Sequence, residues 1–189
     1  MMKPPVSLPL RVRGFSLLEV LVAIFITVIG LLGMAGLQSV AGRANLESYQ
    51  RAQALILLED MVDRIHANRK SAPDYITATG TYLGTGANAT CSTAAVTDCS
   101  AWSDLLTGAG EISGTSKVGA MIGARGCVTY DSTSAVGVIA GTGLYTVTVV
   151  WQAAEDGFTF TNNACGSGLY GSDSKRRVVT RIFRIASLT

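Results

Sequence analysis

The stretch Arg13–Gln38, "RGFSLLEVLVAIFITVIGLLGMAGLQ", decides how this chain is read. Between Glu19 and Arg43 there is no charged residue at all. That run exceeds the ~20 residues an α-helix needs to cross a bilayer. A core helix of a soluble domain is normally shorter and striped, so the run reads as a membrane span. Glu19 stands at its head. An acid carried well into a bilayer costs about 2.5–3.5 kcal/mol even on the lenient insertion scale, and less near the helix end. The acid therefore requires a partner or a reason.

Flanking charges set the orientation. Lys3, Arg11 and Arg13 precede the run with no acid among them, while Arg43 and Glu47 follow it. The positive-inside rule places the N-terminus in the cytoplasm and the rest of the chain across the membrane. All four cysteines, Cys91, Cys99, Cys127 and Cys165, lie beyond the span. An even number there points to an oxidising compartment and two disulfides. Metal-ligand spacing is absent: there is no C-x-x-C, and His66 is the sole histidine. A secretory signal could use the small residues of "GLLGMAGLQS" for cleavage. Its apolar core would then far exceed the usual ~7–15 residues, and the proline-containing leader (Pro4, Pro5, Pro9) is long. A plain uncleaved anchor fits the length but leaves Glu19 without a use.

"RGFSLLEVLVA" resembles the type III signal of the type IV pilin and pseudopilin superfamily: a short basic leader ending in Gly, then Phe, then Glu at the fifth mature position, then a long apolar helix. The resemblance implies a cleaved leader, residues 1–14, cut between Gly14 and Phe15 by a membrane prepilin peptidase that also N-methylates Phe15. It further implies that Glu19 pairs with the N-terminal ammonium of a neighbouring subunit and sets axial register. The ammonium of Phe15 and the carboxylate of Glu19 are one helical turn apart. A buried ion pair is a good register device, since breaking one half leaves an uncompensated charge.

The helix is expected to continue. "RANLESYQRAQALILLEDMVDRIHANRK" has no Gly or Pro, and Leu55, Leu58, Met61, Val62 and Ile65 recur at helical steps. Phe15 to about Asn68 would form one helix of about 80 Å. Residues 15–42 form its apolar half and 43–70 its amphipathic half, ended by Pro73. Gly30, Gly33, Gly36 and Gly42 weaken the first half. Residues 71–189 are the globular domain. It starts with a polar loop to about Cys99, a short helix in "CSAWSDLLTG", and strands in "GCVTYD", "GLYTVTVVWQ" and "RRVVTRIFRI". The expected fold is α+β: a long N-terminal helix packed on a small antiparallel sheet, the type IV pilin fold. Thr146 and Thr148 alternate with apolar Tyr145, Val147, Val149 and Trp151, which is a strand signal. Arg181 and Arg184 in the last strand read as protection of a sheet edge. Three pairings of the cysteines are possible. Sequence neighbours would join Cys91 to Cys99 and Cys127 to Cys165, and the Cys-bounded clamp common near pilin C-termini leans the same way.

Other motifs carry little. "GSGLYG" (Gly166, Gly168, Gly171) has dinucleotide-site spacing, but it follows a polar stretch, leads toward a strand, and has no acid about 20 residues on. Asn88-Ala-Thr90 is a bare sequon, and His66 with Asp63 has no nucleophile tied to it. No catalytic residue, cofactor or metal is expected. The net charge of +2 falls close to neutral once Lys3, Arg11 and Arg13 are removed, and no basic run is interleaved with aromatics, so nucleic-acid contact is not expected. With "QALILLEDMVDRIHANR" added, the first half resembles the PilV-type minor pilins, or type IV pilus modification proteins. The implied role is a subunit of a tip or priming complex that initiates a Gram-negative pilus and supports twitching motility and adhesion. Its partners would be the prepilin peptidase, other minor pilins and the major pilin, and the inner-membrane assembly platform. It would sit in the inner membrane before joining the filament. A minor pseudopilin of a type II secretion system is the alternative, and an anchored periplasmic binding module is a second.

Overall fold

A computed structural model describes residues 14–117, 119, 121–135 and 142–186. The chain divides into two compact units, one ending at Arg43 and the other running from Ala44 to Thr189. Of the expected leader, only Gly14 falls among the described residues. Helix α1 spans Leu17–Ala67. The second unit also holds helix α2 (Val96–Leu106) and a four-stranded antiparallel sheet. The sheet is built from β1 (Leu83–Gly84), β4 (Ile122–Asp131), β5 (Leu144–Gln152) and β6 (Arg176–Arg184), in the order β1-β4-β5-β6. A small hairpin of β2 (Ile112–Ser113) and β3 (Ser116–Lys117) stands apart from it. This is the expected α+β architecture, a long N-terminal helix with a small antiparallel sheet.

The buried stripe of α1 is Ala54, Leu58, Met61, Val62 and Ile65. Leu55, expected within it, is 45% exposed. It lies about 100° round the helix axis from Ala54, which takes the core position a turn before Leu58. The stripe joins Trp102 and Leu106 of α2 and the inward residues Val128, Tyr145, Val147, Val149, Trp151 and Val179 of the sheet in one core. Trp102 fixes α2 to α1, its indole N–H donating to the carbonyl of Leu57 at 2.7 Å. Its ring packs against β4 at Gly126, where an added Cβ would come within 2.1 Å of it. The glycine in "RGCVTYD" is thus there for close approach.

Several expectations for residues 67–99 need correction. Pro73 does not end the helix. Asn68 already leaves helical geometry (φ −111°, ψ 43°), and Pro73 lies inside a following 3-10 helix, Arg69–Tyr75. Nor is the segment to Cys99 wholly a loop: β1 pairs with β4, and α2 begins before Cys99. These pieces are tied by polar side chains. Arg64 donates to Asp60 at 2.9 Å and to Asp98 at 3.2 Å, and the buried Tyr75 hydroxyl donates to Asp98. Burial, with the Asp98 carboxylate beside it, pushes the Tyr75 phenol above its usual range.

β5 is the expected strand, and over part of its length it is buried on both faces. Thr148 is 2% exposed and Val150 is fully buried on the outer side of the sheet. The segment from Ala153 to Lys175 folds back over that side, and Cys127, Val150, Cys165 and Tyr170 form a second, small core beneath it. Three kinds of tie hold this flap. Cys165 is disulfide-bonded to Cys127. Arg176, wholly buried, donates to the carbonyls of Phe160 (2.6 Å), Asn163 (2.8 Å) and Cys165 (2.9 Å), with Nε left without an acceptor among the described residues. Asp173 accepts from the Gly168 N–H and the Ser167 hydroxyl, both at 2.9 Å, and approaches Arg176 at 3.5 Å. "GSGLYG" is part of this turn. Gly166 adopts φ +63° and packs so close to Val150 that a Cβ would meet its side chain at 2.8 Å.

The basic last strand also differs from its reading as simple edge protection. β6 is an edge strand, but two of its arginines turn toward α1. Arg177 pairs with Glu47, and Arg181 lies 3.8 Å from Glu59. The second pair is half exposed on both sides, so it contributes little.

Two outcomes follow for the flap. Replacing Arg176 with Met keeps the volume but abandons three carbonyls, and denaturant titration should show a loss of about 3–5 kcal/mol. A loss near zero would mean that water replaces the clamp. The Asp173 carboxyl is held below the usual carboxylate range, first by the Gly168 N–H and then by Ser167 and Arg176. Its stabilising contribution is therefore complete above the ordinary carboxylate pKa and is lost as pH falls through the depressed folded value. An Asp173→Asn variant should melt lower than the parent at neutral pH, with the gap closing under strong acid.

Candidate functional site

The residues singled out at the N-terminus occupy the start of α1. Gly14 and Phe15 precede the helix, and Ser16 caps it: its hydroxyl accepts the Glu19 backbone N–H at 3.2 Å. With Leu17 as the first helical residue, Glu19 is the third, so "SLLE" has the spacing of a capping box. Sequence reasoning passed over this signal, although S-x-x-E before an apolar run is legible in the chain. The cap gives Glu19 a local role beside any role in assembly. The first turn presents unpaired N–H groups and the positive end of the helix dipole, both of which favour a carboxylate there.

Beyond this cap the helix surface is apolar on every side and uncovered. Phe15 is 82% exposed, Leu17 85% and Leu37 73%, with Leu21, Ile24, Phe25, Ile29 and Leu32 more than half exposed between them. The mean hydropathy of the most apolar window is 2.7, with none of it buried inside the protein. Full burial of each such side chain is worth about 1.5–3 kcal/mol. Over the whole segment the sum is far larger than the stability of a typical domain. Water is therefore not its working environment. Thr27, Gln38 and Ser39 interrupt the segment without adding charge. Thr27 turns its hydroxyl back onto the Ala23 carbonyl at 2.7 Å, which satisfies it within the helix. Ser16 is used in the cap.

The remaining cysteines complete the picture of the second unit. Cys91 and Cys99 form a disulfide that ties the segment after β1 to the first turn of α2. Cys127–Cys165 links the sheet to the flap, and no free cysteine remains. His66 is exposed near the end of α1, its ring 4.9 Å from that of Phe183. Asp63 is exposed as well. Among the described residues no group of three His, Cys, Asp or Glu side chains is placed to hold a metal ion. The Arg125 guanidinium, which sequence reasoning did not single out, lies between the rings of Tyr82 and Tyr170 at 5.1 and 4.9 Å. It donates to the Gly123 carbonyl, as does Tyr170, so the cluster braces the irregular start of β4.

Comparison with known protein families gives two matches that abut. Residues 10–35 match the prokaryotic N-terminal methylation motif, and residues 36–104 match the Tt1218-like family of type IV pilins. No curated protein and no solved structure matches the chain. The first match covers the cap, Glu19 and much of the uncovered apolar segment. The second covers the rest of α1 and nearly all of α2. Across residues 10–104 the chain is thus similar to the type IV pilin superfamily, with a methylation motif leading directly into a pilin domain.

Proposed function

We propose that this chain is a minor pilin of a Gram-negative type IV pilus, made as a precursor that is cut between Gly14 and Phe15. The observation that carries the reading is the uncovered apolar surface of α1 from Leu17 to Arg43, headed by "GFSLLE" and followed by a disulfide-bonded domain. Such a surface suits two environments, a bilayer and a bundle of like helices. The precursor waits in the inner membrane with its N-terminus in the cytoplasm, and the domain faces the periplasm. Prepilin peptidase releases Phe15 and methylates its nitrogen. The assembly platform then moves the helix from lipid into the filament.

Glu19 gives that transfer its register. Cleavage creates an ammonium at Phe15, which sits at the positive end of the helix dipole and is unfavourable there. A carboxylate one turn along offsets it, from the same subunit or from the next. Lipid tails are as apolar as leucine, so moving the helix between lipid and a helix bundle changes little in hydrophobic burial. A pair that is satisfied only when neighbours are correctly staggered therefore dominates the choice of stagger. As a PilV-type subunit the chain would act with other minor pilins in a tip or priming complex, on which twitching motility and adhesion depend.

The intact mass of the membrane-extracted protein tests the reading directly. A chain starting at Phe15 with one added methyl group is expected, and it should be absent from cells lacking prepilin peptidase. An uncut chain, or one cut beyond Gly33, would leave an anchored or secreted periplasmic domain in its place. Glu19→Ala should preserve membrane insertion and the melting temperature of the domain, while reducing surface pili in counts by electron microscopy. Normal piliation with impaired export of secreted proteins would instead assign the chain to a type II secretion system.

A further inference from the structure

We propose that the groove on the outer face of the sheet binds a neutral saccharide. The groove has a volume of about 430 Å³, within the range of small-molecule sites. Its floor is a patch of threonines in register: Thr129 lies opposite Thr146, and Thr148 opposite Thr180. The segment Thr77–Thr81 forms one wall and Asn162–Cys165 the other. Among the described residues no charged side chain lines it.

Some of these polar groups are used within the protein and fix the shape. Thr77 is buried and bonds through its hydroxyl to both backbone groups of Val128. Asn163 donates to the Thr148 hydroxyl at 3.3 Å and accepts the Cys165 N–H at 3.0 Å. The Cys127–Cys165 disulfide joins floor to wall, and Arg176 holds that wall from behind through the carbonyls of Asn163 and Cys165. Others are unused. The hydroxyls of Thr129, Thr146 and Thr180 and the amide nitrogen of Asn162 make no hydrogen bond among the described residues. The groove therefore combines a rigid frame with unpaired groups, mostly hydroxyls that both donate and accept.

Ligand chemistry follows from that set. An ion entering the groove would lose hydration with no opposite charge to replace it. An apolar molecule would leave the hydroxyls unpaired, which costs more than a hydrogen bond returns. An extended peptide docks on an open sheet edge, and the floor here is centred on β5, already paired on both sides. A pyranose offers hydroxyls that donate and accept in kind, and a C–H face that can lie against Ile182, which is 59% exposed beside Thr180. Prior ordering of both walls lowers the entropic cost of holding so small a ligand.

The inference deepens the adhesive part of the pilin reading, and rests on it for bringing the groove to the cell exterior. The binding test itself does not depend on assembly. The full-length processed chain, in a detergent without a sugar headgroup, would be titrated with lactose, maltose and N,N′-diacetylchitobiose, and with sialyllactose as the charged counterpart. Saturation-transfer NMR and calorimetry would follow binding. At least one neutral disaccharide is expected to bind with a Kd of about 10⁻⁵ to 10⁻³ M. A Thr146→Val, Thr180→Val double variant, which retains strand propensity and volume, should weaken it at least about tenfold at an unchanged melting temperature. Absence of neutral-sugar binding, stronger binding of sialyllactose than of lactose, or full affinity in the valine variant would each overturn the proposal. None of these outcomes alters the mass of the mature N-terminus, so the pilin reading stands or falls separately.

Discussion

Among the described residues, the apolar side chains of α1 before Arg43 are exposed. The rest of the molecule has to accommodate that fact. A helix of this kind cannot be left in water, and on the proposed function it would exchange one apolar surrounding, lipid, for another, a helix bundle, without an aqueous interval. Because the two surroundings are nearly equivalent for leucine and isoleucine, hydrophobic burial holds the helix in either place but distinguishes weakly between them. Discrimination falls to the polar head. There the Ser16 cap already fixes where the helix starts, and Glu19 sits where a carboxylate is favoured. A cap that defines the first turn also defines the distance between the Phe15 nitrogen and the Glu19 carboxylate. That distance must be constant if the pair is to measure the offset between subunits.

The second unit must then be stable while lending one face of its own core to the same helix. Its solution is a change of pattern along α1, from apolar on all sides to a stripe from Ala54 to Ile65. Acids on the flanks of that stripe meet the last strand, Glu47 with Arg177 and Glu59 with Arg181. These contacts add modest energy and considerable specificity, since a slip of β6 by one residue would turn its arginines away from the helix. The Trp102 ring over Gly126 does the same for α2, whose position is fixed by one ring, one glycine and one hydrogen bond to Leu57.

What could be read from the sequence was whatever a local pattern dictates. The uncharged run, the stripe at helical spacing, the alternation in "GLYTVTVVWQ" and the basic residues before the span each carry their meaning within a few neighbours. The features that escaped depend on residues far apart in the chain. Nothing near Arg176 announces a fully buried guanidinium, because its acceptors are carbonyls 11 to 16 residues earlier. Val150 reads as the wrong face of a strand until Cys165 and Tyr170 are brought over it. Leu55 and Ala54 differ by one step of the helix, too fine a distinction for periodicity without the partner surface. The cap at Ser16 is the exception, a local signal that overlaps the motif around it.

The flap shows why its ties are polar. Between Ala153 and Lys175 large apolar side chains are few, and two of them, Phe158 and Leu169, are exposed. Too little surface is buried there to offset the entropy of ordering the segment. A buried arginine, an aspartate staple and a disulfide supply what hydrophobic contact cannot. The disulfide spans a sequence separation of 38 residues, and closing such a loop in the unfolded chain is worth about 3–4 kcal/mol. That contribution exists only where thiols are oxidised. On the proposed topology the flap, and with it one wall of the threonine groove, would complete its structure only after the domain has crossed the membrane. A chain inserted the opposite way round would keep its helix and sheet but lose the tie between Cys127 and Cys165. On the proposed topology the charge asymmetry around the apolar run would set more than orientation: it would determine whether the outer face of the domain can be finished at all.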